Sequence, residues 1–205
     1  MEIGILGGVF NPPHLGHLIC AQEAHAELAL DTVLFVPVGQ PPHRHIDRDP
    51  GAQERVRLCE HAVEGDPRFE VSRVEVDRPG PSFSVDTLRL LRERAPEDRH
   101  TVILGADQAS RLPSWHEPEA VLSLARVAVA AREGLEREAV LRHLDGLDGS
   151  ERITFFDMPR IDVSSSLVRE RVASGRPIRY LLTDKVADHV EAKALYGAST
   201  TVSAE

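Results

Sequence analysis

Lysine is nearly missing from this chain: only Lys185 and Lys193 stand among the 24 basic residues in a length of 205. A Walker A loop needs Gly-Lys-Ser/Thr at the opening of a helix, and neither lysine sits in one, so P-loop chemistry is excluded. Any phosphate would have to be held by arginine, histidine and backbone N–H groups. A surplus of positive charge is lacking as well. With a net charge of −9 and a pI near 5.6, the chain offers no broad basic face to a nucleic-acid backbone, so nucleic acid is not an expected partner. Cysteine is reduced to Cys20 and Cys59, far apart inside helical patterns, which excludes a disulfide framework and a Cys-rich metal site. Both read as small buried hydrophobes. No apolar run approaches the ~18 residues of a membrane-spanning helix, and the sequence enters Glu2–Gly7 without a charged and apolar leader. No membrane partner and a cytoplasmic location are expected.

What is present is a regular alternation. Short β-branched and apolar runs at Ile3–Leu6, Val33–Pro37, Phe69–Val76, Thr101–Leu104, Val127–Ala131 and Ile153–Phe156 read as strands. Apolar spacing predicts helices near Leu15–Leu28, Gln53–Val63, Val85–Arg94, Pro118–Leu124, Leu135–Leu144, Ser165–Ala173 and Thr183–Leu195. This order predicts an α/β fold: a doubly wound, mostly parallel sheet with helices on both faces and a small C-terminal helical part. Residues 1–197 are expected to form one domain, and the small, polar residues 198–205 a disordered tail. Two loops rich in Pro, Gly and charge, Gln40–Ala52 and Asp77–Phe83, interrupt the rhythm where an open sheet binds ligands.

The stretch Gly7-Gly8-Val9-Phe10-Asn11-Pro12-Pro13-His14-Leu15-Gly16-His17 leaves the first strand and opens the first helix. Adjacent glycines let backbone N–H groups approach an anion, Asn11 with Pro12 and Pro13 suits a cap and first turn, and a helix N-terminus favours phosphate. The pattern is not the Gly-x-Gly-x-x-Gly of dinucleotide dehydrogenases, so hydride transfer is poorly supported. His14 and His17, three residues apart, share one helix face near its positive end and can address one phosphate. A metal site of His14, His17, His43 and His45 is the alternative, but it lacks a carboxylate partner at a recognised spacing such as His-Glu-x-x-His.

Gly7–His17 resembles the signature of the nucleotidyltransferase superfamily with the His-x-Gly-His motif. The other half of that signature appears as Val163-Ser164-Ser165-Ser166-Leu167-Val168-Arg169, similar to the Ile-Ser-Ser-Thr-x-Ile-Arg motif of bacterial adenylyltransferases. By itself this serine run reads as a helix cap. Within the superfamily the chain resembles the bacterial nicotinate-nucleotide adenylyltransferases over nearly its whole length. Pro41-Pro42-His43-Arg44, Arg55, Ser82–Leu88, Gly105-Ala106-Asp107, Leu112–Trp115, Arg132, Ile178–Leu181 and Val186–Tyr196 all match segments of that family. Departures are Val9, Ser84 and Ser166 for threonines, Asn11 for aspartate, Phe83 for tyrosine and Arg44 for lysine.

The resemblance implies a Rossmann-like sheet, ATP and nicotinate mononucleotide as partners, and Mg²⁺ carried mainly on the ATP phosphates. No metal ligands from the protein are expected. It implies catalytic roles for His14, His17 and Arg169. ATP would be held by Gly7, Gly8, Val9, Phe10, Gly105, Asp107, Arg132, Ser164, Ser165 and Ser166, with Asp107 on the ribose hydroxyls. The mononucleotide would meet Arg44, Ser84, Trp115 and His116, with Trp115 stacked on the pyridine ring. Trp115 in a Pro-Ser-Trp-His-Glu-Pro loop is a poor candidate for core. Phosphopantetheine adenylyltransferases share both motifs and are the nearest rival family. A His-bound metal hydrolase and a non-catalytic nucleotide-binding module are rivals of other classes, and homo-oligomerisation is left open.

Overall fold

The structure is a computed structural model, and it describes residues 1–42, 45–131 and 135–197. Six parallel strands form one sheet in the order β3-β2-β1-β4-β5-β6: β1 Glu2–Gly8, β2 Thr32–Pro37, β3 Phe69–Val71, β4 Arg99–Gly105, β5 Arg126–Ala130 and β6 Ile153–Phe156. Among the described residues eight α-helices accompany them: α1 Leu15–Glu27, α2 Ala52–Val63, α3 Ser84–Arg94, α4 Ala106–Ala109, α5 Pro118–Leu124, α6 Leu135–Leu144, α7 Ser165–Ala173 and α8 Asp184–Ala192.

The strand sequences explain why both faces are covered. Side chains alternate across a strand, and a sheet buried on both faces makes both sets apolar. In β5, Val127 and Val129 join one core while Ala128 and Ala130 join the other. The first core gathers Ile5, Val102 and Leu104 against Val85 and Leu88 of α3, Val121 and Leu122 of α5, and Val140 and Leu144 of α6. The second gathers Leu6, Val33, Phe35 and Ile103 against Cys20, Ala21 and Ala24 of α1 and Cys59 and Val63 of α2. Both cysteines are buried thiols, and burial pushes that of Cys20 up to about 12. A third cluster joins Leu58 and Ala62 of α2 to Val168 of α7, Val186, Ala187 and Val190 of α8, and Tyr196. This is the C-terminal helical part.

The strand expected over Phe69–Val76 ends at Val71. β2 stops at Pro37, and the last ladder-like bond runs from Ser72 N to Phe35 O. Beyond it the chain closes a turn in which Asp77 N donates to Arg73 O, braced by the Arg73–Asp77 ion pair at 2.8 Å. Helix α8 likewise ends at Ala192 rather than Leu195. Four residues of α4 and three short 3-10 turns carry too little periodicity to be read from sequence.

Chain order puts the reversal of direction between β1 and β4. Loops leaving their carboxyl ends diverge to opposite sides, which makes the crevice of an open α/β sheet.

Candidate active site

Gly7 and Gly105 stand at the carboxyl ends of β1 and β4, and a Cβ built on either would meet nothing within 4 Å. The two glycines therefore open onto free space in the crevice. Asp107 follows on the exposed first turn of α4, directly beyond β4.

On the β1 side, the loop reaches α1 through Val9–Pro13. Asn11 was expected to cap the helix, but the cap is His14, in extended backbone, with α1 beginning at Leu15. The polar groups of Asn11–Pro13 are engaged elsewhere. Asn11 Nδ2 donates to Asp47 O at 2.8 Å, Asn11 O accepts from Arg169 Nη1 at 2.8 Å, and Pro12 O accepts from Ser165 Oγ at 2.8 Å. These bonds seat the start of α7 beside the start of α1. Two helix N-termini, separated by about 150 residues of sequence, thus converge at one end of the sheet.

His14 and His17 pack ring to ring, with centroids 3.8 Å apart and planes inclined by 35°. The His14 backbone N–H donates to His17 Nδ1 at 3.1 Å. Phe10 lies edge-on to His17 at 5.0 Å, so its buried ring supports the imidazole from below. Gly16 sits close beneath His14: a Cβ there would lie 3.0 Å from His14 Nδ1 and 3.1 Å from Cε1, so the ring would have to shift to make room for it. Burial lowers His14 to about 4, and burial with the neighbouring His14 lowers His17 to about 3. Both imidazoles are neutral at pH 7 in the ligand-free chain.

Ser164 does cap α7, accepting from Leu167 N at 3.1 Å, and Ser166 Oγ accepts from Arg169 Nη2 at 3.3 Å. Arg169 also reaches the Asp47 carboxylate at 3.4 Å. Its Nε is buried without a partner, as are His14 Nδ1 and Asn11 Oδ1. Three orphaned polar atoms within one short stretch of surface are expensive unless a polar ligand arrives nearby.

The opposite wall is formed by α3 and the Trp115–Glu117 loop. Phe83 and His116 rings stack at 4.4 Å, and Arg89 binds Glu117 through two bonds of 3.1 and 2.7 Å. Ser84 at the first turn of α3 and His116 are brought to the same region by these contacts. Trp115 is half-buried and packed against the first core, so part of its ring does serve as core, contrary to the reading of its loop as surface only. Arg44, Arg132 and His43 lie outside the described residues. Among the described residues no group of three or more His, Cys, Asp or Glu could hold a metal ion, and the four-histidine alternative includes His43, which lies outside them. No helix among them is long and apolar enough to cross a membrane.

Sequence reasoning gave Arg55 no role beyond a family match. In the structure its side chain is 1% exposed, on the face of α2 that also buries Leu58, Cys59 and Ala62. A charged residue in phase with an apolar stripe was the available signal. Asp47 gave no comparable signal.

An order of 3-2-1-4-5-6 with two helix entrances at the crevice defines a nucleotide-binding α/β protein. Comparison narrows the class. The family model described as cytidylyltransferase-like matches residues 5–171. A probable nicotinate-nucleotide adenylyltransferase of Roseiflexus sp. is 42% identical over 95% of this chain and 97% of that protein. The nicotinate-nucleotide adenylyltransferase of Bacillus subtilis is 37% identical over 95% of this chain and 98% of its own length. Among solved structures, the Plasmodium falciparum nicotinic acid mononucleotide adenylyltransferase complexed with NaAD superposes with a TM-score of 0.76 at 16% identity, covering 95% of this chain and 97% of that one. That likeness establishes the fold. The chain belongs to the nicotinate-nucleotide adenylyltransferase family and is a nucleotidyltransferase.

Proposed function

We propose that this chain, as one domain over residues 1–197, transfers AMP from ATP to nicotinate mononucleotide, giving nicotinate adenine dinucleotide and pyrophosphate. The observation that carries this reading is the meeting of α1 and α7 through the Ser165–Pro12 and Arg169–Asn11 bonds, which joins Arg169 to the loop that leads into His14 and His17. An oxygen of the mononucleotide phosphate attacks the α-phosphorus of ATP, and the bond to the bridging oxygen breaks with its electron pair leaving on pyrophosphate. The attacking phosphate is already an anion at pH 7, so no protein base is needed. Catalysis consists of alignment and of meeting the charge that grows on the phosphoryl oxygens.

The open backbone at Gly7, continued by Gly8, which is closed on one side by the Phe10 ring, and by Val9 and Phe10, receives the phosphates with the amides at the starts of α1 and α7. Ser164, Ser165 and Ser166 are partly committed to protein partners, so their contribution is to hold the α7 amides and Arg169 in place, with Ser166 free to donate to phosphate. Arg169 exchanges its long contact with Asp47 for a phosphate oxygen. Gly105 at the end of β4 and Asp107 just beyond it face the adenosine ribose. Ser84 and His116 offer backbone amides to the pyridine carboxylate, and the exposed part of Trp115 stacks on the ring. Mg²⁺ fits this surface as a phosphate-borne ion: Asn11 Oδ1 is unpaired, and the described side chains supply phosphate donors rather than a carboxylate cage. When bound it neutralises phosphate charge.

Incubation with Mg-ATP and an equimolar mixture of nicotinate mononucleotide, nicotinamide mononucleotide and phosphopantetheine, followed by mass analysis, tests the reading. The nicotinate dinucleotide should dominate. Adenylylated phosphopantetheine as the main product would overturn it.

A further inference from the structure

Among the described residues Arg55 is the largest of the fully buried side chains and carries a full charge, yet it touches no position proposed to meet substrate through its side chain. Its guanidinium donates to loop backbone from both terminal nitrogens and pairs with the Asp49 carboxylate through Nε. Nη1 donates to Val9 O at 3.2 Å and to Val38 O at 2.6 Å, Nη2 to Gly39 O at 3.3 Å, and Nε to Asp49 Oδ1 at 3.0 Å. Val9 belongs to the loop that receives phosphate, whereas Val38 and Gly39 leave β2 toward the loop assigned to the mononucleotide. One nitrogen therefore bridges the two loops.

The bridge is continued on both sides. Val38 N donates to Gly8 O at 2.9 Å, extending the β1–β2 pairing by one bond. Gly39 N and Gln40 N both donate to Ser82 Oγ, at 3.0 and 3.3 Å. Ser82 leads into α3, where the buried Glu75 carboxylate accepts from Thr87 Oγ1 at 2.7 Å. Gly39 is gripped from a third direction, because a Cβ there would collide with the Glu75 carbonyl oxygen. A continuous polar chain thus runs from Val9 through Arg55, Gly39 and Ser82 to α3, across the interior side of the crevice. A buried charge is costly and persists where its hydrogen bonds are complete. Arg55 satisfies that condition only with the loops in this spacing.

We infer that Arg55 is a positioning residue that fixes the distance between the phosphate loop at Val9 and the mononucleotide loop at Val38–Gly39, and so sets the alignment of the two reactants. The inference rests on the reaction proposed above for its kinetic consequence, but not for its structural one. An in-line displacement is sensitive to displacements of about 1 Å, which can cost on the order of 10²-fold in rate. A lysine keeps the charge but presents one nitrogen, and it cannot reproduce a planar fork on four acceptors.

The test compares Arg55→Lys with Leu58→Ala, which removes packing from the α2–α8 cluster without touching either loop. Both are assayed well below their melting temperatures, with kcat expressed per folded molecule, and both are followed by amide hydrogen exchange. In Arg55→Lys the amides of Val38, Gly39 and Gln40 should exchange at least about 10-fold faster, and kcat should fall at least about 10-fold, beyond any change in KM. Leu58→Ala should lose stability with kcat intact. Unaltered exchange at those three amides in folded Arg55→Lys overturns the inference, and so does faster exchange with kcat matching Leu58→Ala. Should the unsubstituted chain form no dinucleotide, the proposed reaction fails by itself, while the exchange comparison still decides whether Arg55 holds the loops.

Discussion

The His14 backbone N–H donates to Nδ1 of His17 at 3.1 Å, and this single bond fixes the tautomer of the second histidine. With Nδ1 accepting, the ring proton resides on Nε2, which makes neutral His17 a hydrogen-bond donor at its far edge. A donor of this kind needs no protonation to meet a phosphoryl oxygen. Phe10 below and His14 beside it hold the ring in place before substrate arrives.

His17→Ala should therefore lower kcat by roughly 10²-fold or more, the size expected when one donor to a developing oxyanion is lost. KM for the mononucleotide should stay close to that of the unsubstituted enzyme, because the pyridine wall is untouched. Steady-state kinetics with each substrate varied in turn checks this, and an unchanged kcat would remove His17 from the mechanism.

The depressed histidines also predict a pH signature. Folding holds His14 near 4 and His17 near 3 against an ordinary 6.5, so the unfolded chain binds protons that the folded chain refuses. Their contribution to stability is complete above about pH 6.5 and is lost as pH falls toward 4 and 3. Polyphosphate beside the rings opposes that depression, since a nearby anion favours imidazolium. Binding of Mg-ATP at pH 6 should take up protons, seen as a calorimetric enthalpy that varies with the ionisation enthalpy of the buffer. A buffer-independent enthalpy would show that the histidines stay neutral beside the bound phosphates.

Trp115→Ala should raise KM for the mononucleotide while leaving KM for ATP within about 3-fold, because loss of ring stacking falls on one substrate. The half-buried indole also packs on the first core, so the melting temperature should drop too. Equal rises in both KM values would assign Trp115 to core packing alone.

Much of this architecture was legible because the sheet is buried on both faces. Runs such as Val127–Ala131 are apolar without interruption, and only a covered parallel strand has reason to be so. The glycine entrance and the Ser164–Arg169 run were legible as helix starts, yet nothing local said that they meet. That depends on Ser165 reaching Pro12 across 153 positions. Asn11 was misread as a cap because its side-chain chemistry suits one, whereas the fold uses it to hold Asp47. The end of β3 escaped because it is decided by Pro37 of a neighbouring strand and by the Arg73–Asp77 pair. Arg55 matched a family position, but its four acceptors lie between 6 and 46 residues away and leave no local pattern.

Gly16→Ala separates stability from function at one atom. Gly16 lies inside the first turn of α1, where alanine is a better helix former by up to ~1 kcal/mol, so substitution alone should preserve or raise the melting temperature. The added Cβ, however, would press on His14 at 3.0 and 3.1 Å, and on Ile161 at an ordinary 3.6 Å. The His14 ring must give way by a few tenths of an ångström, and its stacked partner His17 moves with it. The expected outcome is a folded enzyme of equal or greater thermal stability whose kcat falls at least about 10-fold, since transition-state donors lose rate for small displacements. Thermal melts beside steady-state kinetics decide the matter. A Gly16→Ala enzyme with undiminished kcat would show that the close seat of His14 on Gly16 is packing without catalytic consequence.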